Sequence, residues 1–88
     1  MTTPITTLET LEPRTRARVQ RVGGSVALRR RLLDMGVVPG VEIAVVRVAP
    51  LGDPIEYMVR GYRLSLRRRE AAFVQVQPMD LSDQGSQE

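Results

Sequence analysis

Apolar and polar residues alternate with a period of two along several short stretches of the chain, the pattern of half-buried β-strands. In the clearest stretch, Ile55, Tyr57 and Val59 alternate with charged or flexible side chains. The alternation shifts by one residue at Val22, which indicates a β-bulge or the end of the strand, and again at Val46, which indicates a bulge or a sharp bend. The pattern predicts five strands, over 14–22, 41–49, 55–60, 63–67 and 72–77.

A single helix is predicted between the first two of these strands. Leu28, Leu32 and Met35 recur at the spacing of one helical face within 26–35. Ser25 directly precedes this segment, and a serine side chain there accepts a hydrogen bond from a free backbone N–H of the first turn. We therefore expect a helix that begins after Ser25 and lays one apolar face on the sheet.

The segment from Leu32 to Gly40, called here the helix corner, predicts how the helix ends and the next strand begins. Gly36 is expected in the left-handed conformation just past the helix end, where a Cβ atom would be strained. Val37 then falls where a Schellman motif packs it back against Leu32. Pro39 and Gly40 suit the central positions of a type II turn. Backbone geometry and packing account for every residue of this turn.

These elements predict a mainly β fold: a small, partly open β-barrel of SH3-like kind, with about five strands and one α-helix inserted after the first strand. Thr6 and Glu9 fit a capping box, so one helical turn is expected to place Leu8 and Leu11 on the core.

The domain is expected to occupy residues 1–78. Pro78 ends the last predicted strand, and residues 79–88 are polar and rich in serine, glutamine and aspartate. Such a composition buries too little apolar surface to order a chain, so we expect 79–88 to be a disordered tail.

Composition argues against most catalytic classes. The 88 residues include no histidine and no cysteine, and all 13 basic residues are arginine. The usual general base, the thiol nucleophile and the Schiff-base amine are therefore missing. Asp53 and Glu56 flank a predicted hairpin loop, but solvated loop charges explain them better than an acid/base pair does. We expect no enzymatic activity, no cofactor and, without imidazole or thiolate ligands, no tight ferrous or zinc site.

Nothing in the sequence suggests export or insertion into a membrane. No apolar run approaches the length that spans a bilayer, and the first residues lack a basic and then apolar signal pattern. A cytoplasmic location without direct membrane insertion is the default expectation.

Two arginine triplets, 29–31 and 67–69, have the charge to neutralise phosphates, although the net charge is only +3. Barrels that bind single strands normally add aromatic stacking platforms. Tyr57 is assigned to the core by its phase, which leaves Tyr62 and Phe73. Phe73 faces outward, where it covers the helix or the N-terminal leucines, or meets a partner. A solvated or protein-binding face is favoured over a nucleic-acid patch, which stays open as an alternative.

Three segments together resemble the FeoA family of bacterial ferrous iron transport. They are Leu-Arg-Arg-Arg-Leu-Leu-Asp-Met-Gly-Val-Val-Pro-Gly at 28–40, Ala-Pro-Leu-Gly-Asp-Pro-Ile at 49–55 and Val-Arg-Gly-Tyr-Arg-Leu-Ser-Leu-Arg at 59–67. The resemblance runs from about Leu8 to Val76. One departure is Arg14, where the family usually has a glycine after the proline.

The resemblance implies an SH3-like barrel without enzymatic activity. It implies a regulatory role on the cytoplasmic part of FeoB, the ferrous iron permease with a GTPase domain, and recruitment to the inner face of the membrane through that permease. Similar domains also lie at the end of some iron-dependent repressors, so a regulatory domain related to those repressors is an alternative. An oligomer formed through the edges of the barrel is a further one.

Two exposed regions are the candidate partner-binding surfaces. The first is the outer face of the helix, with Arg29, Arg30 and Asp34. Asp34 is noteworthy because the dipole of a helix disfavours a carboxylate in the last turn. The second is the hairpin loop, with Leu51 and Asp53. A leucine is not needed to form such a loop, so Leu51 either contacts a partner or folds back onto the barrel.

Overall fold

The structure is a computed structural model, and it describes residues 4–79. One antiparallel sheet has the strand order β1-β6-β2-β3-β4-β5, with one helix after β2 and a single helical turn before β6. The elements are β1 Thr6–Thr7, β2 Arg16–Val22, α1 Val26–Asp34, β3 Glu42–Val48, β4 Ile55–Val59, β5 Tyr62–Leu66, α2 Arg68–Ala71 and β6 Val74–Pro78.

The predicted mainly β fold, with one helix inserted after the first predicted strand, is confirmed. Both strands are irregular, as predicted: β2 shifts its register against β6 between Val19 and Arg21, and β3 shifts against β4 between Val45 and Arg47. A bulge bends its strand and increases the local twist. The sheet therefore bends around its apolar face, and β1 and β5 remain as its edges.

The apolar core lies inside this bent sheet. Most of the alternating residues predicted to face inward are buried, among them Tyr57, Leu64 and Leu66. Val46, which lies at the register shift of β3, is only partly buried, and Ala72 is exposed. Leu32 is the fully buried side chain of α1. Because the core is filled by one sheet face and one helix stripe, the connecting loops and the outer face of α1 are left for other roles.

The helix corner has the predicted geometry. The N–H of Val37 donates to the carbonyl of Leu32 at 3.0 Å, and that of Gly36 donates to Leu33 at 3.0 Å, which is the pair of bonds of a Schellman motif. Gly36 has a φ of +96°, and both Val37 and Leu32 are fully buried. Gly40, with a φ of +94°, completes the predicted type II turn.

The N-terminal segment differs from the expectation. It begins with a two-residue strand, β1, so the sheet has six strands where five were expected. A 3-10 turn over Leu8–Thr10 follows, preceded by Thr7 rather than the predicted cap Thr6, and without a side-chain cap. Thr6 lies instead in β1, where it pairs with Val76 of β6. The turn still buries Leu8, and Leu11 is partly buried against the core.

Three smaller differences concern strand ends and one turn. Ala72, predicted in the last strand, lies in the turn before Val74, and Pro78 is the last residue of β6 rather than its terminator. Met79 still donates its N–H to Arg16 at 2.9 Å, and the rest of the predicted tail, 80–88, lies outside the described residues. Arg14 has a φ of +70°, a conformation that glycine adopts without strain.

Candidate functional site

The hairpin loop, residues 50–54, connects β3 to β4 and carries the most exposed apolar side chain of the described chain. The side chain of Leu51 is 97% exposed. The loop is closed by two backbone bonds: the N–H of Gly52 donates to Ala49 at 2.7 Å, and the N–H of Ala49 donates to Pro54 at 3.0 Å. Of the two expectations for Leu51, folding back onto the barrel is therefore wrong.

Arg68, the first residue of α2, holds this loop in place. Its backbone N–H donates to Oδ1 of Asp53 at 2.8 Å, and its Nε donates to the carbonyl of Gly52 at 3.0 Å. Its Nη1 donates to the carbonyl of Glu9 at 3.1 Å. We call this set of bonds the Arg68 anchor. It joins three segments that are distant in sequence, so the loop is fixed by tertiary contacts as well as by its own turn.

The phenol of Tyr57 is buried near the anchor. Burial raises the pKa of Tyr57 above its usual value, and the positive charge of Arg68 offsets only part of that rise. The hydroxyl has no hydrogen-bond partner among residues 4–79. Tyr57 therefore contributes to the core by packing, as its strand phase predicts, and stays protonated at physiological pH.

Asp53 is exposed but engaged. Its carboxylate accepts the N–H of Arg68, which lies at the free N-terminal end of α2, where a negative charge is favoured. Glu56, the other carboxylate near the loop, pairs with Arg47 at 3.1 Å and Arg63 at 3.4 Å. Both carboxylates are thus explained by structural contacts and not by an acid/base pair.

The outer face of α1 carries the other predicted residues. The side chain of Arg29 is engaged within the chain, since its Nε donates to the carbonyl of Val22 at 3.2 Å. The side chains of Arg30 and Asp34 are exposed and make no ion pair or hydrogen bond with any residue between 4 and 79, although only four positions separate them on one helix. They share one surface depression with Ala27. Arg30 and Asp34 are therefore unpaired charges of opposite sign on the same face.

Glu70 connects α1 to α2. Its carboxylate accepts the N–H of Arg67 at 2.8 Å, which caps the start of α2, and it also pairs with the guanidinium of Arg31. Burial raises the pKa of Glu70, but the bonds from Arg67 and Arg31 outweigh burial and hold the pKa below its ordinary value. α2 is thus bonded to the hairpin loop through Arg68 and to α1 through Glu70, so the two predicted surfaces are separate but linked by one turn.

The arginine triplets are largely occupied by these contacts. Arg29, Arg31 and Arg68, half of the six residues concerned, bond to backbone carbonyls or to a carboxylate within the chain. A phosphate-binding stripe needs free guanidinium groups on one face. The triplets therefore serve mainly to connect elements, which weakens the alternative of a nucleic-acid barrel.

The sequence did not predict the apolar floor that lies beside Arg30. Phe73 is 49% exposed and Val26 is 77% exposed. Phe73 covers the start of α1, which is one of the alternatives that the sequence left open for it. Its ring lies against Gly24: a Cβ atom added to Gly24 would lie 3.2 Å from Cγ of Phe73. Two adjoining depressions lie here: one is lined by Leu28 and Phe73, the other by Val26, and both include Ala27 and Arg31. We call the two together the α1 groove, and its apolar floor consists of Val26, Ala27, Leu28 and Phe73. The only signal in the sequence was the outward phase of Phe73.

Two further observations concern metals and membranes. Between residues 4 and 79, no three or more histidine, cysteine, aspartate or glutamate side chains form a group that could hold a metal ion. No helix in the same part of the chain is long and apolar enough to cross a membrane.

Comparison with known proteins gives consistent matches. The FeoA domain family matches residues 6–78. A fusion of Fe(2+) transport protein A with the Fe(2+) transporter FeoB, from Porphyromonas gingivalis, is 46% identical over 59 residues, which are 67% of this chain but only 7% of that protein. This chain therefore matches a small part of the length of that relative.

Solved structures agree. An NMR structure of a FeoA-like protein from Clostridium acetobutylicum superposes with a TM-score of 0.81 at 38% identity, covering 91% of this chain and 92% of the other. The crystal structure of Stenotrophomonas maltophilia FeoA complexed with zinc, described as a prokaryotic SH3 domain protein, gives 0.68 at 35% identity, covering 86% and 91%. The predicted SH3-like fold is confirmed by this likeness.

Proposed function

The chain belongs to the FeoA family, and from this premise we propose that it is a non-enzymatic accessory protein of bacterial ferrous iron uptake. It binds the cytoplasmic part of the permease FeoB and modulates transport. The proposal rests on one observation: in a relative of this chain, Fe(2+) transport protein A and FeoB are fused in one polypeptide. Fusion keeps two domains at high effective concentration, which favours a direct contact between them.

The surface supports a binding role. Leu51 projects almost fully into solvent from a loop that the Arg68 anchor holds in place. A loop whose backbone is already held loses little backbone conformational entropy when a partner buries its apolar side chain. Leu51 is thus the proposed apolar contact, Asp53 the residue that positions it, and Arg29, Arg30 and Asp34 a second contact surface on α1. The protein acts in the cytoplasm and reaches the inner face of the membrane through the permease.

The absence of an enzymatic role is part of the same proposal. Asp53, Glu56 and Glu70 are each engaged in structural bonds. No thiol or imidazole is present to act as nucleophile or base.

Calorimetric titration of the 88-residue chain against the intact permease, and against its isolated cytoplasmic domain, tests the proposal. We expect saturable binding to at least one of them, and no binding up to high micromolar concentrations would refute it. Leu51→Ser should weaken binding about tenfold or more, as loss of an interface anchor does. Ile5→Ser is the matched control, because Ile5 is 56% exposed on another segment; equal binding by both variants would remove Leu51 from the interface.

A further inference from the structure

We infer that the α1 groove is a docking site for an acidic amphipathic polypeptide segment. It consists of two adjoining depressions that share Ala27 and Arg31: one contains Phe73, which is 49% exposed, and the other contains Val26, which is 77% exposed. Exposed apolar side chains in adjoining depressions, rather than scattered singly, mark an interaction surface. The inference rests on the proposed function in that the natural owner of the segment is the transporter.

The groove is fixed before any partner arrives. Gly24, with a φ of +91°, leaves room for the ring of Phe73, and the N–H of Gly23 donates to the carbonyl of Phe73 at 2.8 Å. On the other wall, Glu70 caps α2 and pairs with Arg31 of α1. A preformed groove of this kind spares the partner the free-energy cost of ordering it.

The charges around the groove favour a partner of negative charge. Arg31 is neutralised by Glu70, whereas Arg30 and Arg69 line the groove without an ion-pair partner within 4.0 Å among residues 4–79. These two guanidinium groups flank the apolar floor, so a segment with apolar residues on one face and carboxylates beside them complements it. Asp34, at the end of α1, would repel a carboxylate as it would a phosphate, so the partner's carboxylates are expected beside Arg30 and Arg69 and not at the Asp34 end. The apolar residues of the groove favour a polypeptide over a nucleic acid, because a phosphate backbone offers no apolar side chains to bury against them.

The probe is a synthetic helical peptide of about 15 residues, long enough to form a helix on binding. It has leucine along one face and glutamate beside it, and the control peptide has lysine at every glutamate position. Each is titrated into the full isotope-labelled chain and followed by NMR. We expect the shifts to concentrate at 26–31 and 69–73, with the glutamate peptide bound at least about tenfold more tightly than the lysine peptide.

Charge reversal provides the decisive variant. The double variant Arg30→Glu with Arg69→Glu alters exposed side chains and should reverse the preference between the two peptides. Val26 is exposed in the first turn of α1, where the helix dipole tolerates a carboxylate. Val26→Glu should therefore weaken the binding of the glutamate peptide but not that of the lysine peptide. Ile5→Ser, at an exposed residue of the N-terminal segment, should change neither affinity.

Three results would overturn the inference: equal binding of both peptides, shifts centred outside the α1 groove, or concentration-dependent shifts without peptide that show a second copy of the chain in the groove. The peptide experiment contains no permease, so its failure refutes the groove and leaves the proposed function standing. Failure of the permease titration, with normal peptide binding, refutes the proposed function instead.

Discussion

The helix corner and the hairpin loop begin from similar local geometry and end with opposite surfaces. Each is closed by short backbone bonds and places a glycine in the left-handed region, with φ of +96° at Gly36 and +93° at Gly52. Val37 in the corner is fully buried, whereas Leu51 in the loop is 97% exposed. The difference lies in what is beneath each turn, because the corner folds onto the core and the loop extends past it.

This contrast separates stability from recognition. The corner gains its free energy from burial of Leu32 and Val37, so its apolar side chains are unavailable to a partner. The loop is held instead by polar bonds from Arg68, which fix the backbone without covering Leu51. An apolar group can therefore stay exposed and ordered only where other residues hold the backbone.

The largest expected difference between the two regions is in the effect of removing a leucine side chain. Leu32→Ala should lower the free energy of unfolding by about 2–5 kcal/mol, because it leaves a cavity in the core. Leu51→Ala should change it by less than about 0.5 kcal/mol, since no contact is lost. Urea denaturation of both variants measures this, and similar losses would show that Leu51 is packed in solution.

Gly36→Ala is expected to cause the second-largest loss of stability. Forcing an L-residue into the left-handed region costs about 1–2 kcal/mol, and an added Cβ would lie 2.9 Å from the hydroxyl of Tyr62. Gly40→Ala shares the backbone strain but meets no atom within 4 Å, so it should be the milder change. In a Tyr62→Phe background the two substitutions should become equal, and a persisting gap in the denaturation midpoints would contradict the steric explanation.

The loop should respond to changes in the Arg68 anchor more weakly. Asp53→Ala removes the acceptor of the Arg68 N–H and should reduce stability by about 1 kcal/mol. Amide hydrogen exchange of Arg68 should accelerate, while that of Val37 in the corner should change only with the global free energy. Asp53→Asn retains an oxygen acceptor and should keep Arg68 protected; if both variants exchange alike, the side-chain bond does not hold the loop.

Lowering the pH should weaken α2 but not the helix corner, and this is the smallest of the expected effects. The bonds of the corner join backbone groups, whereas α2, which carries the anchor, is capped by Glu70, whose folded pKa lies below its ordinary value. A lowered folded pKa stabilises the protein above the unfolded pKa, about 4.3, and that contribution is lost as the pH falls through the folded value.

The matched variant for this effect is Glu70→Gln. The stability difference between wild type and variant should be constant near neutral pH and should shrink as the pH falls from about 5 to 3. Denaturation curves across this range measure it. A difference that does not depend on pH would mean that Glu70 contributes through its shape and not through its charge.

The candidate site was only partly predictable from the sequence. Arg30 is exposed as its position suggested, because helical phase reports exposure directly. The sequence left open whether Leu51 is exposed or folds back, and the structure shows it exposed. The roles of Asp53 and Arg29 were not predictable, since each is bonded to a residue whose proximity depends on the completed fold. The α1 groove was missed for the same reason, because Phe73 meets α1 only after the sheet has formed.

The sequence by itself determined the helix corner, most of the inward faces of the strands and the phase shifts at which two strands are irregular. These features follow from φ preferences, hydrogen bonds between near neighbours and side-chain period, which act over a few residues. Only the tertiary structure decided the sixth strand, the Arg68 anchor and the exposure of Leu51. The anchor joins residues as far as 59 positions apart, and no local pattern records which distant backbone carbonyl an arginine will reach.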